Sequence, residues 1–456
     1  MHIYLTKTKL KILFLYVIAY ALLWFGYATF IVPIYGYSGF EWAPNMVKVF
    51  ESIVALVLFA LSLPSRVKRP SDLFIHVHFL LPVVPMLVLY SASDLPRAYM
   101  CFVLLAFAVV CFVRKFKLPK IKKNLISIQT MMWGLLIISG IYILSIILQG
   151  GLRYLNFNLL KVYEFRNLAS QDLPRIYGYF SPMVSKVLLP FILLLAVYRR
   201  KWFIAGLALV GSVMMFALTN HKGPLFYPFL VLGVYWIMNS RRRWVIQLLL
   251  IGYIMVIFVS LTPFLINNHK TTESSLSDII AGSLLLRRGC FVPAHLNFVY
   301  YDFFSTHPHT MLAESKLTFG LIEYPYELNS SHLIGYHYYN NDQCGANTGW
   351  LGSGYMHFGV AGMLIYAVII GLLLGLVDML CKKREIGISV AILFTPLFAL
   401  FLSTDLPTAM LTHGLLLAVF LTWACRLTEH SKSVPHKRSA SFFKRIVHRC
   451  RLASTS

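Results

Sequence analysis

Long apolar segments separated by short polar ones run along almost the whole chain. A transmembrane helix needs about 20 mostly apolar residues, and the pattern contains twelve candidate segments, of which the eighth is short and the tenth long. It predicts an all-α, polytopic transmembrane helix bundle of about twelve spans. The spans are predicted over residues 12–33, 46–63, 73–90, 98–113, 126–148, 180–198, 202–218, 224–238, 244–263, 350–380, 387–402 and 408–424.

Two polar interruptions are long enough to fold outside the bilayer. The first covers residues 150–179 and has apolar residues at helical spacing, which predicts a helix along the membrane surface. The second, residues 265–347, is rich in tyrosine and is expected to be partly helical, with a short helix over 275–286. Residues 426–456 form a basic tail, and the whole chain, 1–456, is predicted to be a single membrane domain.

Composition and charge agree with a membrane protein and suggest its orientation. The chain is 58% hydrophobic and 13% charged, against about 45–50% apolar and about 25% charged in soluble domains. Of its 41 Lys and Arg residues, 29 fall in the segments that alternate spans place on one side. Because basic residues accumulate on the cytoplasmic side, both termini are predicted to be cytoplasmic and both long loops external. The net charge of +24 is thereby explained as an orientation signal, and a nucleic-acid partner is not expected.

Basic residues on the external side depart from this rule and are candidates for binding an anion. The sequence has no glycine-rich phosphate loop, paired Asp-x-Asp or convincing metal-ligand spacing, so no cofactor or metal is expected. An external reaction runs without ATP, and its energy must already be present in the substrate, for example in a lipid-linked diphosphate. Fixed cations would stabilise the charge of that leaving group. The candidates are Arg287, Arg288, Arg175 and Lys222, which can alternatively contact lipid headgroups.

If the group carried by the diphosphate is a sugar, the hydroxyl that attacks it must lose its proton to a base within hydrogen-bond distance. The long loop offers Asp302, Glu323, Glu327 and His332 as catalytic candidates, with Glu314 and Asp342 as further acids, and the sequence does not choose among them. Candidates for contacting the glycan are Tyr300, Tyr301 and Asn347, although the loop tyrosines fit an interfacial aromatic belt equally well.

Two cysteines, Cys290 and Cys344, fall in the long loop. A disulfide between them is permitted outside the cytoplasm, and the sequence leaves their pairing open.

Three features together resemble a known family. They are Arg287 and Arg288 followed by Pro293, the YYDFF stretch at 300–304, and the N-T-G-W…Y-x-x-F-G-x-x-G entry into a late span at 347–362. In these features and in its span plan the chain resembles the Wzy-type oligosaccharide repeat-unit polymerases, which make O-antigen or capsular polysaccharide.

The resemblance implies a metal-independent, inverting glycosyltransferase in the bacterial inner membrane with a periplasmic active site. It implies undecaprenyl-diphosphate-linked oligosaccharides as donor and acceptor, external arginines on the diphosphate, and a chain-length regulator as a further partner. Two alternatives stay open: an O-antigen ligase, which transfers the glycan to lipid A core, and a flippase for the same lipid-linked oligosaccharide.

Overall fold

The computed structural model describes residues 6–119, 121, 126–158, 162–266, 282–381 and 385–426. All the predicted site residues fall within these ranges. The predicted basic tail, apart from Arg426, and most of the predicted short helix over 275–286 lie outside them.

The described residues form a helical bundle, and a helix lies over each of the twelve predicted segments. The all-α prediction is therefore confirmed. The helices are α1 (Lys7–Ser38), α2 (Met46–Ser62), α3 (Pro70–Ala92), α4 (Arg97–Val113), α5 (Ile128–Leu148), α6 (Val162–Asp172), α7 (Ile176–Tyr198), α8 (Trp202–Thr219), α9 (Gly223–Ser240), α10 (Val245–Ile266), α11 (Val292–Thr306), α12 (Ser330–Tyr339), α13 (Trp350–Leu380), α14 (Ile386–Leu402) and α15 (Leu406–Ala424).

Shorter elements connect these helices. A π-helical stretch, Gly282–Phe291, leads into α11, and 3₁₀ turns occupy Gly151–Tyr154, Arg242–Trp244 and Lys316–Thr318. Two two-residue strands, β1 (Ile126–Ser127) and β2 (Cys425–Arg426), pair in parallel.

Within the described residues, eight helices are long and apolar enough to cross a membrane, and α4 and α14 are shorter apolar helices. The chain is therefore a multi-pass membrane protein. The figure of twelve spans stays a prediction.

The central helix of the bundle is α3. About 94% of its most apolar 18-residue window is buried, against 28% for α5. A helix that is apolar on all sides can be surrounded by protein, and α3 packs against α13 and α14. The buried His78 of α3 lies in this packing: the Trp350 indole N–H donates to His78 Nε2 at 3.2 Å.

One end of the bundle, here called the basic end, gathers most of the described lysines and arginines. The Lys9 amine donates to the Leu61 carbonyl at 2.8 Å, and Arg242 Nε donates to the Val67 carbonyl at 3.1 Å, so basic side chains tie adjacent helix ends together. The opposite end, here called the cavity end, carries residues 150–158, 162–175, 220–222, 307–349 and 403–405.

A buried ion pair lies at the basic end. Arg114 Nη1 lies 3.0 Å from Asp72 Oδ1 and also donates to the Ser71 hydroxyl at 2.5 Å. Asp378, on α13, accepts from the Ser71 backbone N–H at 2.9 Å and from its hydroxyl at 2.6 Å. The Arg114 and Asp72 side chains are only 7% and 9% exposed. Removing one partner of such a pair costs about 3–5 kcal/mol, because the other charge stays buried.

Helix α13 is two helices joined by a sharp bend. Phe358 and Gly359 have non-helical dihedrals, with Gly359 at φ 60° and ψ −144°. A Cβ atom on Gly362 would lie 2.1 Å from the Gly354 carbonyl oxygen, although eight residues of straight helix span about 12 Å. The short first half, residues 350–357, therefore folds against the second half, 360–380.

Candidate functional site

Two adjoining cavities open at the cavity end. The smaller one, here called the carboxylate cavity, has a volume of about 380 Å³. Its described lining includes two acids, Glu314 and Asp405, and no lysine or arginine. The remaining lining residues are Tyr300, Ser315, Asn329, Ser330, Ser331, Asn347, Thr348, Ser353, Met356, His357, Ser403, Thr404, Thr408 and His413.

The larger cavity, here called the cationic cavity, has a volume of about 680 Å³. It lies between α6, α7, the α8–α9 turn and the start of α15. Its described lining includes no Asp or Glu and contains four basic residues: Arg166, Arg175, Lys186 and Lys222.

His413 and Thr408, both on α15, line both cavities. Lys186 Nζ donates to His413 Nδ1 at 3.0 Å, and the Thr404 hydroxyl lies 3.3 Å from the same nitrogen. Because an ammonium group donates only, Nδ1 acts as the acceptor and the ring proton lies on Nε2. His413 thus links Lys186 of the cationic cavity to Thr404 of the carboxylate cavity.

His357 fixes the carboxylate of Asp405. The Leu312 backbone N–H donates to His357 Nδ1 at 3.2 Å, which places the ring proton on Nε2. Nε2 lies 3.2 Å from Asp405 Oδ2 and donates to it. The other carboxylate oxygen, Oδ1, accepts from the Tyr366 hydroxyl at 3.0 Å and from the Leu406 N–H at 2.8 Å. Asp405 is therefore held in one orientation, and Oδ2 retains a lone pair for a further donor.

A strained loop holds His357 in place. Thr310 and Met311 donate their backbone N–H groups to the carbonyls of Met356 and His357 at 3.1 and 3.3 Å, which satisfies the end of the first half of α13. Met311 and Leu312 have φ of 47° and 63°. Non-glycine residues rarely adopt such backbone dihedrals, which persist where surrounding contacts hold them.

The second carboxylate of this cavity lies at the start of α12. Glu314 accepts from the Ser330 backbone N–H at 3.0 Å and from the Ser330 hydroxyl. Asn329 caps the same helix by accepting from the His332 N–H at 3.1 Å. A negative charge is favourable at a helix N-terminus, so α12 stabilises the Glu314 carboxylate.

His221, in the turn between α8 and α9, reports the electrostatics of the cationic cavity. Its imidazole borders the cavity and is exposed at the surface, although protein atoms surround it on most sides. This desolvation, with smaller contributions from the positive charges of Arg166 and Lys186, lowers the pKa of His221 to about 4. The ring is therefore neutral at pH 7, in a region where added positive charge is unfavourable.

The structure separates the four predicted diphosphate ligands into two groups. Arg175 and Lys222 both line the cationic cavity. Arg287 stacks over the Tyr35 ring at 4.4 Å and reaches the Ser38 hydroxyl at 3.4 Å, while Arg288 is exposed. Neither of the latter two lines either cavity. The structure therefore brings Arg175 and Lys222 together in one cavity and places Arg287 and Arg288 outside both cavities.

The predicted glycan contacts are also divided. Tyr300 and Asn347 line the carboxylate cavity, and the Tyr300 hydroxyl donates to the Ala346 carbonyl at 2.9 Å. Tyr301 instead stacks on Tyr99, with ring centroids 4.6 Å apart.

None of the four predicted catalytic candidates lines either cavity. Asp302 accepts a hydrogen bond from the Tyr338 hydroxyl at 2.5 Å, and His332 Nδ1 contacts the Asp342 carbonyl. Glu323 and Glu327 are exposed. Of the two further acids considered, Glu314 lies in the carboxylate cavity.

The possible disulfide between Cys290 and Cys344 does not form, because both cysteines are free. Cys290 is buried, and its sulfur lies 3.3 Å from the Tyr253 hydroxyl that donates to it.

Sequence reasoning missed Asp405 and His413. Asp405 lies in the short connection between the last two predicted spans and is the only acid in residues 386–426. His413 follows eight residues later, in a span that has no other ionisable residue. A polar, ionisable pair at such positions is a signal of function in membrane proteins.

The fold and these cavities define a multi-pass, all-α membrane protein with a two-part polar site at one end of its bundle. Comparison with protein-family models, with curated proteins and with solved structures found no match to this chain.

Proposed function

We propose that this protein is a membrane-embedded inverting glycosyltransferase that polymerises undecaprenyl-diphosphate-linked oligosaccharide repeat units into O-antigen or a related surface polysaccharide. The observation that carries the proposal is the contact between a cationic cavity and a carboxylate cavity through His413 and Thr408. Such an arrangement suits a reaction in which an anionic group leaves on one side while a hydroxyl loses its proton on the other.

The donor diphosphate occupies the cationic cavity in this proposal. Arg175 and Lys222 contact its oxygens, and Lys186 lies deeper in the same lining. As the bond to the sugar breaks, negative charge accumulates on the leaving diphosphate, and fixed cations stabilise it in the transition state. Arg175 and Lys222 were among the four cations that the sequence offered for this role, and Arg287 and Arg288 lie outside both cavities.

Asp405 is the proposed general base. The acceptor hydroxyl oxygen bonds to C1 of the donor sugar as the bond from C1 to the diphosphate oxygen breaks. The hydroxyl proton passes to Asp405 Oδ2, and the electron pair of the broken bond leaves with undecaprenyl diphosphate. His357 is a positioning residue, because it orients the carboxylate through the 3.2 Å contact without needing to touch substrate.

The positive-inside rule supports the orientation in this proposal. The basic end faces the cytoplasm of a bacterial cell, and the cavity end faces the periplasm. Both cavities then lie at the membrane surface where lipid-linked repeat units are presented.

The deciding experiment mixes the purified protein with lipid-linked repeat units in detergent and resolves the glycans by length. Lengthened glycans on undecaprenyl diphosphate are the expected product. Transfer that occurs only onto lipid A core would replace the proposal with a ligase. Movement of the lipid-linked glycan across a liposome membrane without any new glycosidic bond would replace it with a flippase.

A further inference from the structure

The first half of α13 begins deep inside the protein, beside the carboxylate cavity. Gly349 lies so close to α14 that a Cβ atom there would be 2.5 Å from the Phe401 carbonyl oxygen. Trp350, the first helical residue, is fully buried. Asn347, Thr348 and Ser353 flank this helix start and line the cavity. The eight residues 350–357 therefore present a helix N-terminus, with its partial positive charge, to a polar cavity.

Two hydroxyl groups at this helix start have no hydrogen-bond partner within the described chain. They are Thr348 Oγ1 and Ser353 Oγ, and the two residues are only 4% and 2% exposed. Burying a hydroxyl without a partner is unfavourable, and such groups in folded proteins call for an explanation. Both residues line the cavity, although the two oxygens themselves are buried. A ligand in the cavity supplies the missing partners when these side chains turn toward it.

The chemistry of the cavity restricts what that ligand can be. Glu314 and Asp405 accept hydrogen bonds and repel anions, while Thr348 and Ser353 can donate as well as accept. A ligand with several hydroxyl groups satisfies both walls, because each hydroxyl donates to a carboxylate and accepts from a hydroxyl. Ligand pockets occupy about 300–1,000 Å³, so the volume of about 380 Å³ suits one or two sugar rings.

We propose that the carboxylate cavity is the acceptor subsite and binds the terminal sugar of the acceptor repeat unit. Thr348 and Ser353 hold hydroxyl groups of this sugar, and Asn347 borders it from the loop. The sugar is thereby oriented so that its attacking hydroxyl meets Asp405 Oδ2. This inference rests on the proposed function and adds to it the residues that recognise the acceptor.

The test removes each hydroxyl while preserving side-chain shape, with T348V, S353A and the double variant. Elongation rates are measured against acceptor concentration and, separately, against donor concentration. Each lost hydrogen bond to a neutral hydroxyl should raise the acceptor KM about 3- to 10-fold, and the double variant should raise it about 10- to 100-fold. The donor KM should stay within about twofold of wild type.

Matched controls come from α14, where Ser389 and Thr395 also carry buried hydroxyls without partners in the described chain but line neither cavity. S389A and T395V should leave both KM values unchanged. The thermal midpoint of every variant is measured alongside, because loss of an unpartnered hydroxyl should not destabilise the fold.

A direct binding measurement completes the design. Saturation-transfer NMR with the full-length protein and free repeat-unit oligosaccharide should detect binding to wild type that the double variant loses. Suppose that the wild-type protein elongates the glycan, but T348V and S353A leave the acceptor KM unchanged or change the donor KM by the same factor. This result would overturn the acceptor subsite and leave the proposed function intact. A wild-type protein that never lengthens the glycan would overturn both.

Discussion

The carboxylate cavity and the cationic cavity lie side by side at one end of the bundle, but their linings carry opposite charge. The first contains Glu314 and Asp405 without a described lysine or arginine, and the second contains four basic residues without a described acid. Intermixed charges would pair with one another and leave neither sign available to a ligand. Keeping them in separate cavities preserves a site for an anion beside a site for a hydroxyl.

The boundary between the cavities is narrow. His413 receives a hydrogen bond from Lys186 at 3.0 Å and lies 3.3 Å from the Thr404 hydroxyl, next to Asp405 in the chain. A donor bound in the cationic cavity and an acceptor bound in the carboxylate cavity would therefore meet close to Asp405, the proposed base. Substitutions in the two cavities are expected to affect different kinetic constants.

The largest effect is expected for D405N. Loss of a positioned general base lowers kcat by about 10²- to 10⁴-fold. The amide oxygen of D405N keeps the hydrogen bonds from the Tyr366 hydroxyl and the Leu406 N–H, but the amide NH2 cannot accept from His357 Nε2, so the thermal midpoint is measured alongside. The measurement is the elongation rate at saturating donor and acceptor. E314Q, in the same cavity, should cause a smaller loss, and a D405N enzyme with normal glycan ladders would exclude Asp405 as the base.

Loss of a cation from the other cavity should act on the donor. R175A and K222A should each lower kcat/KM for the donor about 10- to 100-fold. Removing a buried oxyanion-hole donor typically lowers kcat about 10²- to 10³-fold, and the smaller loss is expected here because both side chains are solvent-accessible. The acceptor KM should not change.

R288A, which changes an exposed arginine outside both cavities, is the matched control and should retain most activity. If R288A were as inactive as K222A while inserted and folded, the diphosphate site would have to include the arginine pair at 287–288.

Gly359 should affect the carboxylate cavity through the bend in α13. Its backbone dihedrals, φ 60° and ψ −144°, lie in a region that residues with a side chain rarely adopt. G359A should therefore destabilise the fold by about 1–3 kcal/mol and displace His357, two residues earlier. The readouts are the thermal midpoint and kcat.

G233A is the control, because a Cβ atom at Gly233 in α9 meets nothing within 4 Å. It should be neutral or slightly stabilising. A G359A protein as stable as G233A would show that the bend does not depend on the glycine.

The smallest effect concerns pH. The pKa of His221 is lowered to about 4, so between pH 6.5 and 4 the unfolded chain binds a proton that the folded protein does not. Stability should therefore fall as pH decreases through this window, and H221Q should remove that part of the decrease. Thermal midpoints at pH 7.5 and 5 compare the two proteins; identical changes in both would contradict the lowered pKa assigned to His221.

Hydropathy was sufficient to predict the helices. The apolar segments from residue 12 to residue 424 all correspond to helices, because a chain in a bilayer must satisfy its backbone hydrogen bonds within each segment. The pattern did not reveal the bend in α13, since residues 350–380 form one long, mostly apolar segment and the break depends on two residues, Phe358 and Gly359.

The candidate site was only partly predictable. Arg175 and Lys222 were identified because basic residues are unusual on the external side of the membrane. Tyr300, Glu314 and Asn347 were identified because they lie in the long loop. Asp405 and His357 are 48 residues apart in sequence, and only the packing of α13 against α15 brings them to 3.2 Å. Arg287 carries the same charge as Arg175 but lies against Tyr35, away from both cavities.

Hydropathy and charge act locally along the chain, and they were enough to predict an all-α, multi-pass membrane protein with one strongly basic end. They could not predict which ionisable groups share a cavity. That choice depends on how helices distant in sequence pack, on the fold-back at Gly359, and on the loop at 310–312 that holds His357 against Asp405.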